Sequence, residues 1–111
     1  MSEPQSIKEP AAAYATVADS ARRLFPNRSL DQVMAELLLE RAQKNLIKYQ
    51  TALRHFEVKY PQGFASLRAA VTHEQTDAAQ EQDYFDWELA VSGVSDMTDE
   101  IERLKRVSLA A

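Results

Sequence analysis

The sequence predicts an all-α protein, a long-helix antiparallel hairpin with an extra N-terminal helix that is completed as a dimeric bundle or coiled coil. Only two glycines occur in 111 residues, whereas sheet-rich folds need glycine for hairpins and bulges. Apolar residues recur at steps of three and four over most of the chain, which is the spacing of amphipathic helices. The length suits one small domain. We therefore expect a disordered arm at residues 1–10 and a single helical domain at residues 11–111.

The arm and the first helix differ in composition. Residues 1–10 contain two prolines and one large apolar side chain after the initiator methionine, Ile7, which is too little hydrophobic material to offset the entropy of ordering them. The alanine-rich stretch that follows favours a helix. This helix is predicted to begin at Ala11 or at Val17 and to end at Pro26.

A long second helix is predicted from Leu30 to Tyr60. Ser29 and Gln32 have the Ser-x-x-Gln spacing of a capping box, in which each residue bonds the other's backbone amide. No proline or glycine follows until Pro61. A helix of this span is about 46 Å long, which is long for so small a chain.

The second helix carries a heptad seam, because apolar residues in its later part alternate steps of three and four, as in a coiled coil. Its earlier part, around Leu37 and Leu38, is apolar on more than one face, which predicts burial against two neighbours. A hairpin of this length leaves much apolar surface exposed, so we expect a homodimer. The residues expected at the dimer interface are Leu39, Leu46, Tyr49, Leu53, Phe56 and Tyr60.

The rest of the chain is predicted to return along the second helix. Pro61 and Gly63 favour a chain reversal, and a short amphipathic helix follows over residues 64–71. Residues 72–82 lack large apolar side chains and are predicted as a loop or weak helix. A last long helix is expected from about residue 81 to residue 107. Gly93 within it marks either a kink or the close approach of another helix.

Acidic residues are concentrated in the C-terminal half. The net charge is −4, and residues 61–111 hold ten acidic and four basic side chains. Such a surface suits a basic protein partner and repels nucleic acid. Arg41, Lys44 and Lys48 lie on one side of the second helix, as a phosphate-contacting stripe would, but acidic residues interrupt them. Direct contact with nucleic acid is therefore not expected.

The residue types needed for catalysis or metal binding are scarce. The absence of cysteine excludes disulfides and thiolate metal sites, and two distant glycines exclude a phosphate-cradling loop. His73 and Asp77 are four residues apart with Glu74 adjacent, but Asp77 stands where a zinc protease has its second histidine. We expect ordinary surface residues there, and we expect no metal, no cofactor, no catalytic residue and no enzymatic activity.

The sequence also bears on the compartment. The N-terminus lacks the basic start and apolar core of a leader. No apolar run approaches the ~20 residues that span a bilayer. We expect a cytoplasmic protein that does not associate with membranes.

A run of aromatic and acidic residues near the start of the last helix is the candidate binding site. As a packing pattern, the aromatic residues are core and the acids are exposed. As a functional pattern, aromatic anchors rimmed by acids form a hot spot for a protein partner, and the sequence leaves both interpretations open. The residues concerned are Tyr84, Phe85, Trp87, Asp83, Asp86 and Glu88.

Several short segments resemble a group of small bacterial and archaeal helical proteins that are encoded beside toxin-like proteins and are regarded as antitoxin-like. The segments are Lys48-Tyr49, residues 56–60 at the end of a long helix, Phe64 after a turn, and residues 81–88 before a final amphipathic helix. The resemblance implies a non-enzymatic helical dimer whose C-terminal region masks a neighbouring toxin-like protein, commonly one that acts on RNA. An acidic surface could occupy the basic cleft of such a partner.

Two functions follow from these observations. The first is a non-catalytic, antitoxin-like protein-binding module that masks a basic partner through its acidic C-terminal half. The alternative is a self-assembling helical scaffold or DNA-associated regulator without a toxin partner.

Overall fold

The prediction of an all-α fold is confirmed. The computed structural model describes residues 3–109, with side chains described from residue 11 onward. Within that range the chain forms α1 (Glu3–Leu24), α2 (Leu30–Lys59), α3 (Phe64–Thr72) and α4 (Ala78–Leu109). The two long helices, α2 and α4, pack against each other as a hairpin, and α3 closes the end where they are joined.

Helix α1 begins earlier than the sequence indicated. Its backbone is helical from Glu3 and not from Ala11 or Val17, while its end at Leu24 agrees with the helix-breaking effect of Pro26. Residues 1–2 of the arm predicted at residues 1–10 lie outside the described residues, and the backbone of residues 3–10 is part of α1. The disorder of this arm stays a prediction.

The start of α2 confirms the capping box. The Ser29 hydroxyl accepts a hydrogen bond from the Gln32 amide at 3.1 Å, and the Gln32 side-chain oxygen accepts one from the Ser29 amide at 3.1 Å. These two bonds satisfy amide groups that a helix start otherwise leaves without partners. The helix then runs without interruption to Lys59, close to the predicted end.

Helix α4 begins at Ala78, which corrects the loop or weak helix predicted for residues 72–82. Asp77 accepts a hydrogen bond from the Gln80 amide at 2.8 Å, and the Gln80 side chain accepts one from the Asp77 amide at 3.1 Å. This is a second capping box. The connection between α3 and α4 is therefore only residues 73–77.

The heptad seam of α2 is filled from within the same chain. Phe56 and Tyr60 are buried, and the other predicted interface residues are half-buried on the side that faces α4: Leu39, Leu46, Tyr49 and Leu53. A seam covered by α4 is not free to cover a second copy. The homodimer and its interface stay predictions, and the cover that α4 gives to this seam favours a different surface for a second copy.

Gly93 marks a close approach of the two long helices. It is buried in α4, and a Cβ atom at this position would lie 2.5–2.6 Å from ring atoms of Tyr49 on α2. A carbon atom cannot be accommodated at that distance, so glycine is what lets the tyrosine ring lie directly on the α4 backbone. Of the two roles that the sequence left open, the structure supports the close approach.

An aromatic core holds the closed end of the hairpin together. One buried cluster is formed by Phe56 of α2, Tyr60 directly after that helix, Leu67 of α3 and Trp87 of α4. Phe64 packs against its rim. This cluster fixes the first turns of α4, and thereby it decides which side of the acidic and aromatic run faces solvent.

No described helix is long and apolar enough to cross a membrane.

Candidate partner-binding surface

Trp87 is a core residue. Its side chain is 3 % exposed and its ring stacks on Phe56 and Tyr60, with centroid distances of 5.7 and 5.9 Å, while Phe64 meets it edge-on at 5.2 Å. A ring enclosed on three sides has no free face for a partner. The predicted anchor role of Trp87 is therefore not compatible with its position in this structure.

Asp83 is held by two residues at the end of α2. Its carboxylate accepts a hydrogen bond from the Tyr60 hydroxyl at 2.6 Å and lies 2.6 Å from the Lys59 ammonium. Both interactions lower the pKa of the Asp83 carboxyl below its usual 3.8, and the interaction with Lys59 has the larger effect. The hydrogen bond to Asp83, together with burial, raises the pKa of Tyr60 to about 12. This network joins the end of α2 to the start of α4, and its role is structural.

Tyr84 contributes mainly to packing. Its half-buried ring stacks on Phe64 with the centroids 5.4 Å apart, and the Arg68 guanidinium lies over the Phe64 ring at 5.0 Å. The Tyr84 hydroxyl reaches Glu88 at 3.3 Å. Tyr84 therefore supports one edge of the surface without forming its centre.

The remaining predicted residues lie on the outer side of α4, and they include an exposed apolar pair. Phe85 is 54 % exposed, and Leu89, one helical turn further on, is 61 % exposed. Residues four apart on a helix are neighbours on one face. Leu89 is not among the predicted site residues, although the sequence places it one helical turn after Phe85 and on the side of the helix away from Trp87.

Acidic side chains flank this apolar pair. Glu81 and Glu88 are spaced four and three residues from Phe85, and Asp86 lies on the other side of the pair, where Gln82 donates a hydrogen bond to it at 3.0 Å. All three acids are exposed. We refer to Glu81, Phe85, Asp86, Glu88 and Leu89 together as the α4 face.

The acidic character of α4 extends as far as Glu102, and the three basic residues of the helix follow it. The helix carries eight acidic and three basic residues. Asp96, seven residues after Leu89, and Asp99, three residues further on, continue the outward stripe of Phe85 and Leu89, and both are exposed. The α4 face is thus an apolar pair within a negative field, on a helix whose opposite side is fixed by the aromatic core.

The other candidate sites support a binding or catalytic function less well than the α4 face does. Arg41, Lys44 and Lys48 are exposed on α2. Arg41 and Lys48 each line a different small pocket, so the three cations do not converge on one site. His73 ends α3 and Asp77 caps α4, so they do not share one helix face. Among residues 3–109, no three histidine, cysteine or acidic side chains are placed to hold a metal ion.

Comparison with known proteins places this chain in no group. No protein-family model matches the sequence, no curated protein is significantly similar to it, and no solved structure matches its fold.

Proposed function

We propose that this protein is a non-catalytic, cytoplasmic binding module, antitoxin-like in its role, that masks a basic partner protein through its acidic C-terminal half. The observation that carries the proposal is the exposed Phe85–Leu89 pair with acids on both sides. Large apolar side chains at the centre of a charged rim are the usual composition of a binding hot spot.

The energetics of the α4 face favour a protein partner over a small ligand. Full burial of a leucine or phenylalanine side chain is worth about 1.5–3 kcal/mol, and about half of each side chain remains available for burial. Acids at the rim add little affinity but steer a basic partner and reject an acidic one. The face is also convex, whereas small-molecule sites are concave.

The rigidity of the helix that carries the α4 face supports this proposal. Docking surfaces on packed helices keep their geometry better than surfaces on loops. Trp87 and Tyr84 lie on the adjoining sides of the same two turns and are anchored by Phe56 and Phe64. The α4 face is therefore presented in one orientation and loses little entropy on binding.

The resemblance to antitoxin-like proteins supplies the expected partner. It points to a toxin-like protein encoded beside this one, with a basic cleft that binds RNA. Apart from Lys48-Tyr49, the segments that carry the resemblance lie in the aromatic core or in the first turns of α4, which include most of the α4 face. An acidic face that entered such a cleft would compete with RNA for the same cations.

Co-expression of the protein with the products of its neighbouring genes, followed by native mass spectrometry, tests the proposal. We expect a stoichiometric complex with a basic neighbour, which Phe85→Ser and Leu89→Ser each weaken at least tenfold. Ile47→Ser is the matched control, because Ile47 is an exposed apolar residue on α2. Circular dichroism of each variant checks that helicity is kept.

Two results would reject the proposal. If no neighbouring product binds, the alternative of a self-assembling scaffold or DNA-associated regulator gains support, and a salt-dependent DNA titration would separate those two. If a neighbour binds with equal affinity to the wild type and to both α4-face variants, the module binds through a different surface.

A further inference from the structure

An apolar groove lies between α1 and the first turns of α2. It has a volume of about 220 Å³. Both helices contribute apolar side chains to its walls: Val17, Ala21 and Leu24 from α1, and Val33, Met34 and Leu37 from α2. None of the residues described along the groove carries a charge.

The part of the chain that the structure describes does not cover this groove. Among the α1 side chains described, those from residue 11 onward, only Ala18 and Ala21 are buried, and Tyr14, one turn before Ala18, is 62 % exposed. Helix α1 therefore leaves the surface of α2 within about two turns. Leu24 is 74 % exposed and Leu37 is 49 % exposed, so the groove walls carry large apolar side chains in contact with water.

The junction between the two helices is held in place. Arg28, in the turn between α1 and α2, donates a hydrogen bond to the Ser108 carbonyl oxygen at 3.0 Å. That carbonyl is in the last turn of α4, where a cation is favoured by the helix dipole and by unpaired carbonyl groups. The turn is thus tied to the hairpin, and the groove is a feature of the folded chain.

The whole molecule is too extended for a self-sufficient monomer of its size. Its accessible surface is 8238 Å², whereas a compact 12.5 kDa monomer exposes about 6,200 Å². Its radius of gyration is 21.0 Å, against about 13 Å for a compact chain of this length. The excess surface is larger than the roughly 800 Å² that each partner buries in a standard interface.

We propose that the groove is the interface with a second copy of this chain, in which the α1–α2 corner of each protomer packs against the same corner of its partner. A two-fold symmetric interface must be complementary to itself, and two uncharged apolar walls meet that condition. The basic partner proposed for the α4 face does not fit here, because the groove would leave its charges without counter-charges.

This assignment also accounts for the apolar residues on more than one side of α2. The later part of the helix is covered by α4 through the seam. The earlier part meets α1 on one side and, in the dimer, the second copy, which would cover Met34 and Leu37. The interface is thus different from the seam residues that the sequence pointed to.

The oligomeric state of the full chain tests the proposal, measured by light scattering across the micromolar range. We expect a dimer, whose dissociation constant rises at least tenfold in Leu24→Glu and in Leu37→Glu, which alter opposite walls of the groove. Ile47→Glu is the control, because it places the same charge at an exposed position of α2 away from the groove. Both groove positions are half-exposed or more, so a folded monomer tolerates either charge, and circular dichroism verifies helicity.

Three outcomes would overturn the assignment: a monomeric wild type, a dimer that is unaffected by both groove variants, or a dimer that Ile47→Glu dissociates equally. A monomer that binds another protein through Leu24 and Leu37 would also overturn it, since the occupant would not be a second copy. None of these results depends on the α4 face, so failure here is distinguishable from failure of the proposed function.

Discussion

At position 93 the two long helices leave no room for a methyl group. A Cβ atom there would lie 2.5–2.6 Å from the Tyr49 ring, and the ring atoms concerned are those nearest the tyrosine backbone, which cannot swing aside. Gly93→Ala should therefore destabilise the protein by about 1–3 kcal/mol through overpacking. The roughly 1 kcal/mol by which alanine is better than glycine within a helix offsets part of that loss, so the net destabilisation should be up to about 2 kcal/mol.

Urea unfolding measures the Gly93 effect. Ser92→Ala, at the neighbouring exposed position, is the control and should be neutral or slightly stabilising. Combining Gly93→Ala with Tyr49→Ala should cost less than the sum of the two single changes, because the smaller residue removes the clash. A Gly93→Ala variant at least as stable as the wild type would show that the helices are not in contact here.

Asp83 makes stability depend on pH on the acid side. Its pKa in the folded protein is lowered below 3.8 by Lys59 and Tyr60. A lowered folded pKa gives stability that is fully present above the unfolded pKa and is lost as the pH falls through the folded one. At pH 7, Asp83→Asn should cost about 1–2 kcal/mol, since Lys59 is half-exposed and its ion pair is partly screened.

Unfolding free energies of the wild type and Asp83→Asn, measured from pH 7 down to pH 2, check this dependence. The difference between them should shrink as the pH falls below about 4, because the wild-type carboxylate becomes protonated. Asp86→Asn, at an exposed carboxylate on the same helix, should stay within about 0.5 kcal/mol of the wild type throughout. A constant difference for Asp83→Asn would mean that the network contributes nothing through its charge.

The boundaries of the long helices are set by two capping boxes of the same kind, one starting α2 and one starting α4. Asp77→Ala removes the acceptor for the Gln80 amide and should destabilise the protein by about 1 kcal/mol. Hydrogen exchange should speed up in the first turn of α4, at residues 78–81. The exposed loop variant Gln75→Ala should change neither quantity, and equal exchange in Asp77→Ala and the wild type would contradict the capping role.

How well each element could be predicted depends on whether its signal is local. The Ser29 cap can be predicted from the sequence because a dense apolar pattern follows it. The equivalent Asp77–Gln80 spacing precedes residues without large apolar side chains, so the apolar pattern does not indicate a helix start there. Capping is decided by backbone amides and a side chain three residues away, so it does not need that pattern.

Periodicity identified which side of α2 is buried but not what buries it. A heptad seam is compatible with a second copy or with a returning helix, because both present apolar side chains at the same spacing. In the structure α4 fills the seam. Trp87 is ambiguous in the same way, because an aromatic residue between acids fits either a core position or an anchor for a partner protein. Only the position of Phe56 and Tyr60 against its ring shows that Trp87 belongs to the core.

At the scale of the whole molecule, acidic, basic and uncharged surfaces lie at different places. The α4 face is acidic, the outer side of α2 carries Arg41, Lys44 and Lys48, and the groove at the α1–α2 corner carries no described charge. This separation allows one molecule to bind a copy of itself and a basic protein at different places.

Binding to the α4 face should depend on salt. Association of oppositely charged surfaces slows as ionic strength rises, because charges are screened beyond about 8 Å at physiological salt. Glu81→Gln and Glu88→Gln together should lower the association rate constant with the captured neighbour and flatten its salt dependence. Stopped-flow measurements at several salt concentrations check this, and a rate that is independent of both salt and these two acids would contradict the electrostatic part of the account.

Hydrogen exchange of the protein, free and bound to the neighbour with which it co-purifies, tests the central claim most directly. The α4 face is predicted to be the contact surface, so backbone amides of residues 81–89 should exchange more slowly in the complex. Residues 41–48 of α2 should exchange equally in both states. Protection of residues 41–48 with no change at residues 81–89 would contradict the claim that this protein binds its partner through α4.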